Sequence, residues 1–109
     1  MHELAIVESV VTAVDERVGP ARVTCVRLQI GQLAGVVPDA LRFCFDLCTR
    51  GTALEGATLE IDEVDGHGRC RQCGGELAMT TFLDLCPCGS ADLEVLTGNE
   101  LRIKNVEVH

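Results

Sequence analysis

The chain has 109 residues, which is about the size of one domain and excludes a large multidomain enzyme. Hydrophobic residues make up 47% and charged residues 24%, as is usual for globular proteins, so the chain can bury a core. Seventeen acidic residues against nine basic ones give a net charge of -8, which disfavours nucleic acid and anionic membranes as partners.

The N-terminal segment predicts an amphipathic helix followed by a strand. Apolar residues recur at steps of three and four between Glu3 and Val18, and Gly19-Pro20 ends the pattern. The next segment, 22–30, alternates apolar and polar residues, as a half-buried strand does. Glu8 interrupts the apolar N-terminal stretch, and no stretch approaches the ~18 apolar residues of a membrane span. We therefore expect a cytoplasmic protein without a signal peptide.

The middle of the chain predicts a loop, a second helix and a strand. Segment 31–35 predicts a loop, and Pro38 suits the first turn of a helix that continues towards Gly51. One face of this helix carries apolar residues and cysteines, and segment 57–65 alternates as a strand. We interpret Cys25, Cys44 and Cys48 as buried core residues. Chelation of a metal by the latter two is the alternative.

Four of the seven cysteines form two closely spaced pairs, Cys70-Arg-Gln-Cys73 and Cys86-Pro-Cys88. Two residues between thiolates let both sulfurs face one ion, and the single residue of the second pair requires a tighter loop. The odd number of cysteines argues against a framework of disulfides. We interpret the four as a closed, structural Zn(II) site in a ribbon of short strands. The alternatives are rubredoxin-like iron, a redox dithiol or disulfide pair, and His67 as a replacement ligand.

The first residues, Met1-His2-Glu3, offer a second kind of metal site. The free α-amine, the backbone amide of His2 and its imidazole can form fused chelate rings with their nitrogen donors in one plane. Planar nitrogen coordination suits Ni(II) or Cu(II), whereas Zn(II) prefers a tetrahedral site. Glu3 or a group from elsewhere in the chain would supply a further donor. A histidine beside an initiating methionine also occurs by chance, so this pattern alone has low specificity.

Over essentially its whole length the chain resembles the HypA/HybF family of hydrogenase nickel-incorporation proteins. The resemblance rests on the opening MHELAIVESVV, the segment GQLAGVVPDALRFCF, the two cysteine pairs and the ending GNELRIKNVEV. It implies a metallochaperone that delivers Ni(II), as transferred cargo, to the large subunit of [NiFe] hydrogenase. It also implies work with a HypB-type GTPase and, in some organisms, with urease maturation proteins.

The resemblance also implies ligands for each metal. The family's nickel ligand falls on His2, assisted by the amine of Met1 and by Glu3. In part of the family a further carboxylate near the start of the second helix contributes to the nickel site, and Asp39 is the carboxylate of this chain that lies nearby. The family's zinc ligands fall on the four paired cysteines, which are Cys70, Cys73, Cys86 and Cys88. In the common form of the family, two residues separate the cysteines of the second pair, whereas this chain has only Pro87 between them.

We therefore predict an α/β (α+β) fold with two helices packed on a small β-sheet and an inserted zinc-ribbon module. Segments 1–64 and 99–109 form the predicted nickel-binding domain, and 65–98 forms the zinc-binding domain. The alternative function is a zinc-ribbon adaptor that binds protein without a nickel role. An enzyme lacks support, because the sequence has no glycine-rich phosphate loop and no Cys-His nucleophile motif, and a four-thiolate zinc has no open position.

Overall fold

The structure is a computed structural model that describes residues 2–109. The chain divides into two compact units. The first comprises the chain up to Leu28 together with Val36–Asp62 and Arg102–His109, and the second comprises Gln29–Gly35 and Glu63–Leu101. Strand β1, Val23–Gly31, therefore contributes residues to both units. Within residues 2–109, no helix has the length and apolar character needed to cross a membrane.

Two helices that pack against each other build one side of the first unit. Helix α1 spans Glu3–Val18, and helix α2 spans Pro38–Cys48 with proline in its first turn. Helix α1 stops at Gly19, whose φ of 57° lies in the left-handed region that glycine adopts without steric cost. The buried faces carry Val7, Val11 and Val14 on α1, and Leu41 and Phe45 on α2.

Strand β1 lies in the centre of a three-stranded sheet, between β2 (Thr58–Val64) and β6 (Leu101–Val108). In the first unit β1 and β6 run antiparallel, because the amide of His109 donates to the carbonyl of Arg22 while the hydroxyl of Thr24 donates to the carbonyl of Glu107. Side chains of β1 that are buried in this unit are Val23, Cys25, Val26 and Leu28. Each apolar side chain buried in this way contributes about 1.5–3 kcal/mol to folding.

The second unit contains a short 3-10 helix and a second antiparallel sheet. The 3-10 helix spans Gln32–Ala34. The sheet has β3 (Gly66–Cys70) in the centre, flanked by β4 (Glu76–Met79) and β5 (Leu93–Thr97). Both neighbours pair with β3 in antiparallel register, and a β-bulge lies between His67 and Gly68 on the β5 side.

Three glycines from distant parts of the chain meet inside the second unit. The amide of Gly31 donates to the carbonyl of Glu100 at 2.7 Å. A Cβ atom on Gly31 would lie 2.0 Å from the carbonyl oxygen of Gly98, and one on Gly98 would lie 2.5 Å from the Cα of Gly66. Backbone atoms therefore occupy the space that a side chain would need at each of these positions.

The predicted fold class is confirmed: two helices and small β-sheets are present, and a four-cysteine cluster fits the zinc-ribbon module. Helix α2 is shorter than its sequence pattern suggests, because it ends at Cys48 rather than continuing to Gly51. The loop predicted over 31–35 begins as the last residue of β1 and continues as the 3-10 helix. The assignment of nickel to 1–64 plus 99–109 and of zinc to 65–98 stays a prediction.

Candidate metal centres

The four paired cysteines converge in the second unit. Cys70 is the last residue of β3, Cys73 lies in the turn that follows, and the second pair lies in the loop before β5. All four sulfur atoms lie within 4.8 Å of one another. The sulfur of Cys70 is 3.7 Å from that of Cys88, and the sulfur of Cys73 is 3.5 Å from that of Cys86.

These distances fit one tetrahedral ion. Four sulfurs at about 2.3 Å from a zinc ion stand about 3.8 Å apart along each edge of the tetrahedron. The measured 3.7 Å and 3.5 Å are close to that edge. They are far longer than the about 2.05 Å of a disulfide bond. The single residue between Cys86 and Cys88 therefore does not prevent both sulfurs from reaching the cluster.

Backbone amides favour thiolate at the first pair. The amide of Cys73 points at the sulfur of Cys70 at 3.5 Å, and the amide of Gly75 points at the sulfur of Cys73 at 3.4 Å. The amide of Cys73, together with that of Gln72, lowers the pKa of Cys70 to about 6. Glycine at position 74 permits the turn, since its φ of 77° is left-handed.

The four sulfurs also influence one another. The amide of Cys88 acts to lower the pKa of Cys86, but desolvation and the sulfurs of Cys88, Cys73 and Cys70 outweigh it and raise that pKa to about 12. A cluster of thiols loses its first proton readily, and the charge left behind then resists loss of the next. A bound divalent cation removes this conflict, because it stabilises all four thiolates together.

His67 lies on β3 with its Nε2 atom 3.9 Å from a carboxylate oxygen of Glu76.

The predicted nickel ligands lie at the start of α1. Met1 lies outside the described residues. His2 is exposed and immediately precedes the helix, and its side chain makes no capping hydrogen bond. Glu3 is the first helical residue, and its Oε2 atom accepts a hydrogen bond from the amide of Val37 at 3.3 Å. The pKa of Glu3 is lowered, first by its own backbone amide and then by that of Val37.

An open groove of about 500 Å³ lies beside these residues, between the first turns of α1 and helix α2. Donor atoms of several types face it: an imidazole, two carboxylates and a thiol. The residues that line the groove are His2, Glu3, Leu4, Ala5, Glu8, Ala40, Phe43 and Cys44. The Asp39 carboxylate lies instead 3.3 Å from the guanidinium of Arg42, on the exposed surface of α2.

The remaining cysteines differ in burial. Cys25 is buried in β1, as expected, and burial raises its pKa. Cys44 and Cys48 were expected in the core but are only half-buried. At about 100° per helical residue, Cys44 lies at the edge of the face that Leu41 and Phe45 bury. Cys44 and Glu8 both line the groove, and the sequence analysis predicts neither of them there. For Glu8 a signal exists, because the i, i+3 spacing places it on the same helix face as Ala5, which also lines the groove.

The chain is similar to one known family of proteins over nearly its whole length. Residues 1–108 match the family model described as "Hydrogenase/urease nickel incorporation, metallochaperone, hypA". The chain belongs to the HypA family. A hydrogenase maturation factor HypA from Nostoc punctiforme is 53% identical over 108 residues, covering 99% of this chain and 96% of that protein. A hydrogenase maturation factor HypA from Geotalea uraniireducens is 51% identical over 109 residues, covering 99% of each chain.

The fold agrees with the HypA family. The solution structure of the Ni metallochaperone HypA from Helicobacter pylori covers 99% of this chain and 97% of its own, with a TM-score of 0.68 and 20% sequence identity. A second solution structure of a HypA protein gives a TM-score of 0.61 at 16% identity. Membership of the HypA family makes this chain a maturation factor of the metallochaperone class.

Proposed function

We propose that this chain binds Ni(II) at its N-terminus and transfers it to the large subunit of [NiFe] hydrogenase during maturation. Family membership supports a role in nickel transfer. The observation that supports His2 and Glu3 as nickel ligands is their position at an open groove. A carrier must release its metal as well as hold it. Ligands at an exposed chain end meet a recipient more easily than ligands enclosed on all sides.

The proposed nickel ligands are the amine of Met1, the backbone nitrogen and imidazole of His2, and Glu3. Nitrogen and oxygen donors of this kind suit Ni(II). In the structure the Glu3 carboxylate is bonded to the amide of Val37, so binding of nickel by that carboxylate exchanges one partner for another. Breaking a single 3.3 Å hydrogen bond is a small cost, and it links metal occupancy to the segment that enters α2.

The proposed second metal is a structural Zn(II) held by Cys70, Cys73, Cys86 and Cys88. When bound, zinc supplies four strong bonds that hold the ribbon together, and four protein thiolates leave it no open position for chemistry. The sulfur separations of 3.5 Å and 3.7 Å support this assignment. We propose that the two sites are independent, that the protein acts in the cytoplasm, and that a HypB-type GTPase or urease maturation proteins are further partners.

Transfer of radioactive nickel tests the proposal. The protein with an intact, untagged N-terminus is incubated with one equivalent of nickel-63, freed of unbound nickel by desalting, and mixed with purified nickel-free hydrogenase large-subunit precursor. We expect label to move to the precursor from the wild type and not from His2→Ala. His109→Ala is the matched control, because His109 is also an exposed histidine at a chain end. Equal transfer from His2→Ala and the wild type would contradict the proposal.

A further inference from the structure

The loop between β4 and Cys86 exposes three large apolar side chains. Phe82 is 57% exposed, Leu83 is 89% exposed and Leu85 is 58% exposed. Apolar residues that fold a domain are normally removed from water, and these three are not. A cluster of large apolar side chains on the surface of a small protein often marks a contact with another protein. We call residues 82–85 the apolar loop.

The apolar loop is held in shape by Asp84. One oxygen of its carboxylate accepts a hydrogen bond from the amide of Thr80 at 2.7 Å, and the other accepts one from the hydroxyl of Thr81 at 3.1 Å. The same hydroxyl oxygen accepts a hydrogen bond from the amide of Leu83 at 3.1 Å. The loop is also anchored at both ends, since Met79 and Cys86 are buried. An ordered loop loses little entropy when it binds, which favours its use in recognition.

The charge of the second unit narrows the choice of partner. The unit carries seven acidic residues and two arginines. Both arginines face carboxylates of the same unit: Arg71 lies 2.9 Å from Asp92, and Arg69 lies 3.8 Å from Glu76. A divalent ion bound by four thiolates adds further negative charge. Such a surface repels anionic lipid, nucleic acid and a second copy of itself, and it attracts a partner with basic residues around the contact.

We propose that the apolar loop docks into an apolar pocket, rimmed by lysine or arginine, on the protein that receives the nickel. The identity of the recipient rests on the proposed function, namely the hydrogenase large-subunit precursor. The contact itself does not require nickel, because the loop is shaped by its own hydrogen bonds. Leu83, as the most exposed apolar side chain of the loop, is the anchor that enters the pocket.

Binding of purified large-subunit precursor to the full-length zinc-loaded protein tests this proposal. We expect Leu83→Ser to raise Kd at least about tenfold, because interface anchors carry most of the binding energy. Val108→Ser is the matched control, since Val108 is 53% exposed and lies in the first unit, and it should leave Kd unchanged. Zinc content and nickel stoichiometry should be the same in all three proteins. Leu83→Lys should bind more weakly than Leu83→Glu, because the rim is basic, and the reverse order would overturn the proposal.

Several results would overturn the proposal. They are a failure of the wild type to bind the precursor, an unchanged Kd for Leu83→Ser, and an equal loss in Val108→Ser. Concentration-dependent dimers, or binding to vesicles of 70% phosphatidylcholine and 30% phosphatidylserine, that disappear in Leu83→Ser would assign the loop to another occupant and overturn it too. If the precursor still binds through the apolar loop while His2→Ala still binds nickel, the proposed function is refuted but the docking surface is not.

Discussion

Removal of zinc from the intact protein should unfold the second unit while leaving helix α1 folded. The second unit buries few apolar side chains besides two of the cysteines in the cluster: Ile30, Leu33 and Met79. At about 1.5–3 kcal/mol each, these three contribute about 5–9 kcal/mol. A structural zinc site contributes about 10–16 kcal/mol in small zinc-binding domains. The metal therefore contributes at least as much as these three side chains together, so we do not expect the unit to stay folded without it.

Hydrogen exchange measures this effect strand by strand. Zinc is stripped with a strong chelator and its absence is checked by elemental analysis. Peptides from β3 and β5 should then exchange at rates close to those of an unfolded chain, whereas peptides from α1 should keep their protection. Cys73→Ser should reproduce the result without a chelator, and Cys48→Ser, which changes a cysteine outside the cluster, should not. Full protection of β3 and β5 in zinc-free protein would refute the reasoning.

Two further predictions concern the second unit. Gly31→Ala places a Cβ atom 2.0 Å from the carbonyl oxygen of Gly98, so we expect a loss of about 1–3 kcal/mol in the free energy of unfolding by denaturant. Gly19→Ala, whose Cβ meets nothing within 4 Å, should cost only the strain of a positive φ, and an equal loss in both would refute the clash. The second prediction is that the pKa of Asp84, which the amide of Thr80 and then the neighbouring threonine groups lower, lies below the ordinary aspartate value in a carboxyl NMR titration. Because the folded pKa is the lower one, the stabilisation is complete above the ordinary value and is lost as pH falls through the lowered one. An ordinary pKa for Asp84 would show that these hydrogen bonds do not form in solution.

The periodicity of apolar residues and the spacing of cysteines correctly predict those parts of the structure that depend on contacts between residues close together in the sequence. Helix α1 begins and ends where its apolar spacing and Gly19 predict, because a helix forms through contacts three and four residues apart. The four cysteines lie in one cluster, as their two short spacings suggest. Even the unusual Cys86-Pro-Cys88 pair meets the first pair, with sulfur separations of 3.7 Å and 3.5 Å.

Features that depend on distant contacts could not be read from the sequence. The hydrogen bond from Val37 to Glu3 joins residues 34 positions apart. The close approach of Gly31 to Gly98 depends on pairing of β-strands that are separated by most of the chain. Half-burial of Cys44 depends on how far the neighbouring helix covers α2, which the apolar pattern of α2 alone does not specify.

Equilibrium titration with nickel is the most direct test of the central claim that His2 is the nickel ligand and the cysteine cluster is a separate site. The untagged wild type, His2→Ala and His109→Ala are titrated with Ni(II), and zinc is quantified in each sample. The account predicts one zinc per chain in all three proteins, nickel binding by the wild type and His109→Ala, and none by His2→Ala. Nickel binding that is the same in His2→Ala as in the wild type, or a loss of zinc in that variant, would contradict it.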